Sequence, residues 1–344
     1  MRNFPFGVKS QDMRAALRVG VSVGLPLLVL YVIGLVHFAV YAAFGALTSL
    51  YGHTEDVRRR VETQILVGAA LFLTIVAAAL YSTMQGAEWL LSAMLAVTVI
   101  AAGTLGTIMG WVPRGEIFFI LVLLVVAGVP LTLEALPTAL AAGAAGIGFS
   151  ILLTMVEPKG ATDTPASGLR RRVQRGAESL DRTRHAIIIT IAALAVTAAW
   201  LLASALGIGH PFWAPIAVAA LMPALSPADG MRRAIHLLLG TFGGVCLAAI
   251  LLAPQPGPLA LIIMIAVCQA IAELFIARSY AVAMLFITPL AIGMSNLGRG
   301  LPWSPLLIER LMEAALGAAV ALVAISIGSR LLASRTARHS AGEA

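Results

Sequence analysis

The chain has 344 residues, of which 60% are hydrophobic and 11% charged, with a mean hydropathy of +0.96. A soluble domain carries about a quarter charged residues, so this composition excludes one and indicates a polytopic membrane protein. The formal net charge of +7 raises nucleic acid as a partner, but the basic residues stand in short loops without aromatic or Gly-rich context, so nucleic-acid binding is excluded too.

Residues 1–13 are polar and carry Arg2 and Lys9, and the run from about Arg14 to Val36 is long enough to span a hydrocarbon core of about 30 Å. No small-residue cleavage site precedes the next apolar segment, so this run is expected to be an uncleaved first span. Further spans are expected at roughly 38–52, 63–81, 88–111, 115–132 and 136–156, then at 185–207, 211–227, 235–253, 258–277, 279–297 and 305–333. The fold class is therefore all-α integral membrane with about twelve transmembrane helices. Cys246 and Cys268 both lie inside apolar segments and report neither a disulfide framework nor a metal site.

Two stretches share one plan. FAVYAAFGALTSLYGHTEDVRRRVETQILVG (38–68) and HPFWAPIAVAALMPALSPADGMRRAIHLLLGTFGG (210–244) each join an aromatic start, a small-residue apolar run, an acidic-then-basic turn and a glycine opening the next segment. Arg60 to Gly68 and Arg232 to Gly240 have the same spacing. The chain is read as a duplicated unit: residues 1–157 form a first six-helix repeat, 158–184 a cytoplasmic basic linker, 185–333 a second six-helix repeat and 334–344 a cytoplasmic tail. An even number of spans per half makes the repeats parallel, related by an axis along the membrane normal.

Charge supports the same topology. With a cytoplasmic N-terminus, 21 of the 23 Lys and Arg residues fall on the inner side, leaving only Arg299 outside and Arg310 within a span. Both termini are then cytoplasmic. The linker PKGATDTPASGLRRRVQRGAESLDRTR (158–184) reads as a tether whose arginines fix topology and touch anionic headgroups.

Polar residues at membrane depth are costly and mark either pairing or function. In LLIERLMEAALGAAVALV, Glu309 and Glu313 are four apart, while Arg310, Glu313 and Gly317 share one helical face. Arg310 and Glu313 either neutralise each other across a close helix contact or serve substrate and proton coupling. The matching first-half positions are Leu136 and Ala139, so the cluster exists in one copy. Gln269 and Glu273 lie toward the cytoplasmic end of the tenth span, where Glu273 either snorkels to water beside Arg278 or lines a path. Gln64 and His236 occupy equivalent places just after the basic turns. They either face cytoplasmic water or, for the imidazole, take up a proton near neutral pH.

The basic turns, Arg58, Arg59 and Arg60 in one copy and Arg232 with Arg233 in the other, either set topology or form an anion-attracting ring at the inner mouth. Pro211, Pro215, Pro223 and Pro227 break the eighth span, and such broken helices leave backbone groups that need partners or line a cavity. Residues 38–52 lack proline, so only the second copy is expected to be broken.

The ordered patterns PFWAPIAVAALMPALSPADGMRRAIHLLLGTFGG, RSYAVAMLFITPLAIGM and ERLMEAALGAAVAL resemble the fusaric acid resistance family of bacterial inner-membrane proteins, within the aromatic acid exporter group. The resemblance covers residues 14–333. It implies an inner-membrane exporter of aromatic carboxylic acids or similar organic anions, driven by the proton gradient. The plant aluminium-activated malate transporters look like distant relatives, which implies a passive anion channel as the alternative. The chain departs from the family in its short linker, where many relatives have a large cytoplasmic domain, and in Leu237, where an Arg is common three residues before the Gly-Thr pair.

The expected partners are an organic anion and the lipid bilayer, with a homo-oligomer left open. A non-transporting membrane scaffold is a third reading. No metal-ligand cluster, nucleophile elbow or phosphate loop is present in the sequence, so neither enzymatic activity nor a cofactor is expected.

Overall fold

Lipid offers no hydrogen bonds, so apolar segments at membrane depth satisfy their backbones as helices. A computed structural model describes residues 10–113, 115–156, 168–224, 226–297 and 302–342, and among them there is no strand. Arg2, Lys9, Arg114, Lys159 and Arg299, which entered the charge argument, lie outside the described residues. The helices are α1 (Ser10–Val32), α2 (Ala39–Ala46), α3 (Val57–Thr83), α4 (Glu88–Met109), α5 (Ile117–Ala127), α6 (Leu136–Val156) and α7 (Leu169–Glu178). They continue with α8 (Arg182–Ala205), α9 (Trp213–Leu221), α10 (Pro227–Leu252), α11 (Pro258–Ile276), α12 (Tyr280–Asn296) and α13 (Trp303–Gly342).

Eight of these are long and apolar enough to cross a membrane. The expectation of twelve full spans is therefore met by eight. The other four expected spans form short helices: α2 with its flanking turns, α5, α9 and α12. At nine residues α9 reaches only about 14 Å. Its end has a local cause, because Pro223 has no N–H to continue the helix beyond Met222, and Pro227 then pre-sets the first turn of α10.

The first copy is broken as well, contrary to the expectation that only the proline-rich copy would be. Single 3-10 turns at Val36–Phe38 and Leu47–Leu50 flank α2, which itself has only eight residues. Its small side chains let α6 come so close that Ser150 donates to the Ala46 carbonyl at 3.3 Å.

Large apolar side chains point outward all along the spans, for example Leu73 at 68% and Ile250 at 70% exposure. These faces have the chemistry of lipid contact.

The described chain forms two compact units that cut across the sequence halves. One comprises residues 1–86, 122–166 and 239–311, the other 87–121, 167–238 and 312–344. In the first unit α1 packs along α11, α11 on α12, and α2 and α3 on α6. In the second, α8 packs along α4 and on α9, and α7 on α4. The first unit thus takes α11, α12 and most of α10 from the second half of the sequence, and the second unit takes α4 from the first half.

The linker and tail segments both contain helix. Within the linker, α7 docks on α4: Arg172 is buried and its Nε donates to the Met109 carbonyl at 2.9 Å, at the end of α4. Gly176 lies so near Ile108 that a Cβ there would meet its carbonyl at 1.9 Å. The tail from 334 continues α13 as far as Gly342.

Candidate functional site

A short helix buried among apolar spans keeps unpaired N–H groups at its start and unpaired carbonyls at its end. In α9 both ends are served by charged side chains from other helices. Glu313 of α13, with 0% exposure, accepts from the backbone N–H of Trp213 at 2.8 Å and of Ala214 at 3.0 Å through one oxygen, Oε2. At the other end, the half-buried Arg233 of α10 donates to the Ala220 carbonyl at 3.2 Å. A negative group at the helix start and a positive one at its end both follow the helix dipole, and charge-assisted bonds are the stronger kind.

Sequence places Glu313 and Gly317 one turn apart, and the structure shows why both are needed. A Cβ on Gly317 would fall 2.4 Å from the Ala214 carbonyl, so only glycine lets α13 approach close enough for the carboxylate to reach α9. The close contact expected at Gly317 is present, and Glu313 uses it to hold backbone. Arg310 is buried at 5% exposure and Glu309 is half-buried. Beside this start, the His210 ring stacks on Trp213 with centroids 5.5 Å apart.

The remaining basic-turn residues of this copy face outward. Arg232 is exposed and pairs with Asp229 at 3.0 Å, and His236 is exposed.

In the first unit the equivalent turn is tied to its own backbone. Arg60 donates to the carbonyls of Gly52 at 3.1 Å, His53 at 3.3 Å and Glu55 at 3.1 Å, which pins the chain where it leaves the 3-10 turn. Glu55 in turn accepts from Thr63 at 2.6 Å and pairs with Arg59 at 3.3 Å. Arg58 and Arg59 are exposed. Gln64 has 0% exposure and donates to the Tyr51 carbonyl at 3.4 Å, so it is not the counterpart of the exposed His236 in environment. Position in the repeat is shared by these two residues; burial is not.

Arg278 is paired with Asp12 across α1 and α11, while Glu273 is half-buried with Gln269 one turn before it. Arg18, one of the charges counted to the inner side, is buried at 8% exposure. Above it on α1, Ser22 donates to Ser49 at 2.7 Å, so α1 is also tied to the turn after α2. No local pattern announces these partners, because each comes from a helix far away in the chain.

Residues 197–324 match the family model of fusaric acid resistance protein-like proteins. The matched stretch contains α9 through α12 together with Arg233, Arg310 and Glu313. The chain is similar, with 32% identity over 127 residues, to the uncharacterized membrane protein YvaC of Bacillus subtilis (strain 168). That similarity covers 37% of this chain and 20% of YvaC, so the chain matches about a fifth of its relative's length. No solved structure matches the chain.

Proposed function

We propose that this protein is a membrane transporter that exports aromatic carboxylates or similar organic anions, coupled to the proton gradient. The observation that carries this reading is α9: a nine-residue helix inside the fusaric acid resistance-like stretch, with a buried carboxylate at its start and an arginine at its end. Broken helices with charged groups at their ends recur in transporter sites, where they offer places for a substrate to exchange with internal partners.

On this reading the chain is two parallel copies of one six-element unit lying in a bacterial inner membrane, with both termini cytoplasmic. The order of long and short helices supports the duplication, since in each copy the second and fifth elements are the short ones. So does the packing, where α1 on α11 has its counterpart in α8 on α4. The exposed Arg58 and Arg59 in one unit, and Arg232 in the other, attract anions, and Arg310 with Glu309 and Glu313 serves substrate or proton coupling.

The test is flux of labelled benzoate in proteoliposomes with and without an imposed pH gradient. Accumulation that requires the gradient supports the exporter, and gradient-insensitive equilibration would replace it with an anion channel. Arg310→Gln is expected to abolish accumulation while membrane abundance stays at the wild-type level. Loss of folded protein instead would make Arg310 a structural residue.

A further inference from the structure

Among the described residues two carboxylates are buried, Glu313 at 0% and Glu116 at 7% exposure. They differ in what they hold. Glu313 accepts two backbone N–H groups of α9. No side chain or backbone of another described residue bonds or pairs with the carboxylate of Glu116, which has only its own N–H.

The chain brings this group back alongside a spanning helix. Helix α4 ends at Met109, yet Oε2 of Glu116 lies 3.2 Å from where a Cβ on Gly103 would stand. Gly103 precedes the helix end by six residues, so the carboxylate has returned about 9 Å along α4. Because Gly103 has no side chain, that space is filled by Glu116 and by Ile189 of α8. The carboxylate is thus buried beside α4 and α8, two helices long enough to cross a membrane and both in the second unit.

The charged and titratable groups on the surrounding elements are few. Helix α5 has none, and α4 has only Glu88, at its far end. On α8, His185 stands one turn before Ile189, and its Nε2 shares a 3.0 Å hydrogen bond with Thr104 of α4. On α7, Arg172 donates to the Met109 carbonyl. A carboxylate taken out of water without a cation or a set of donors takes up a proton rather than keep its charge. Ionisable groups kept at such a place mark function by default.

We propose that Glu116 is the carboxyl that binds the coupling proton: water on one side of the membrane supplies the proton to a carboxylate oxygen, and water on the other side receives it, with no other bond changed. The first turn of α8 links it to water, since His185 is half-buried while Arg182 and Arg184 beside it are exposed. This inference rests on the proton-coupled reading above and assigns that coupling to one residue. It leaves the Arg310 group to the substrate.

The experiment uses the purified full chain in proteoliposomes, with labelled benzoate under an imposed pH gradient, and infrared spectra of the same preparations. At neutral pH the wild type is expected to show the carbonyl band of a protonated carboxyl, which fades as pH is raised, and Glu116→Gln is expected to lack it. The wild-type titration needs no variant to fold. Glu116→Gln has the shape and charge of the protonated group, so it is expected to keep wild-type thermal stability and to equilibrate benzoate down its own gradient. Its accumulation under the pH gradient is expected to fall to the equilibrium ratio, while Glu116→Asp, which keeps a carboxyl, still accumulates.

Absence of the band from the wild type at neutral pH, or accumulation by Glu116→Gln equal to the wild type's, overturns the assignment and leaves the exporter reading in place. If the wild type itself gains nothing from the pH gradient, the proton-coupled reading falls and this assignment with it.

Discussion

At the scale of single residues, the charged side chains divide by what they hold. Glu313 holds two buried N–H groups of α9, and removing it strands both. An unsatisfied buried donor costs about 1–3 kcal/mol, so Glu313→Leu is expected to lose roughly twice that, and Glu313→Gln, whose amide oxygen still accepts, clearly less. Thermal unfolding in detergent measures the difference. Unfolding of Glu313→Leu at the wild-type temperature would show that the carboxylate does not secure α9.

A second carboxylate, Asp181, caps α8 from outside the span, accepting from Thr183 N–H at 3.1 Å and Arg184 N–H at 3.0 Å. The Arg184 N–H foremost, and the Thr183 N–H after it, hold its carboxyl below the usual carboxylate range. A depressed folded pKa means that the cap is fully present above the unfolded value of about 4 and is lost as pH falls through the folded one. Hydrogen exchange at Thr183 and Arg184 is expected to lose protection in that acidic window in the wild type. In Asp181→Asn it should show no such step, and a step that survives the substitution would assign it to another group. The sequence showed which residues were charged and where hydropathy made them costly. It did not show that Glu313 serves backbone, or that Arg18 is buried, because a partner on another helix leaves no local mark.

At the scale of elements, hydropathy located every long helix, since eighteen or more apolar residues have few alternatives in lipid. It misjudged the short ones for a physical reason. An apolar window measures how greasy a stretch is, not where its backbone turns, and 36–50 reads as apolar through two 3-10 turns and an eight-residue helix. The α1 and α11 pairing was invisible for the opposite reason: Gly20 and Gly24 are clear in the sequence, but nothing near them names α11. That contact predicts a sharp contrast along one helix. Gly24→Val places branched carbons where Ala266 already sits and is expected to cost about 1–3 kcal/mol by overpacking. Val29→Leu, at a half-exposed position of the same helix, is expected to stay within about 0.5 kcal/mol. Equal stability of the two variants in a thermal-unfolding series would refute the close packing.

At the scale of the whole molecule, the two compact units each combine helices from both halves of the sequence. The duplication was legible in the matching turns at Arg60 and Arg232, but a repeat in sequence is not a body in space. Expressed as separate chains, residues 1–157 lack α11 and α12, and residues 158–344 lack α4. Each fragment is therefore expected to be degraded when made alone, and the two to co-purify when made together. Stable accumulation of either fragment by itself would contradict the exchange of helices. The same exchange governs how the protein is made. When the ribosome has delivered α1 to the membrane, its partner α11 is still more than 220 residues from synthesis. Helix α1 carries Asp12, whose ion-pair partner Arg278 arrives just after α11, so the nascent first half waits in the bilayer with a charged, unfinished surface. Biogenesis then depends on whatever shields that surface, and mutations in α11 are expressed first as failures to retain α1.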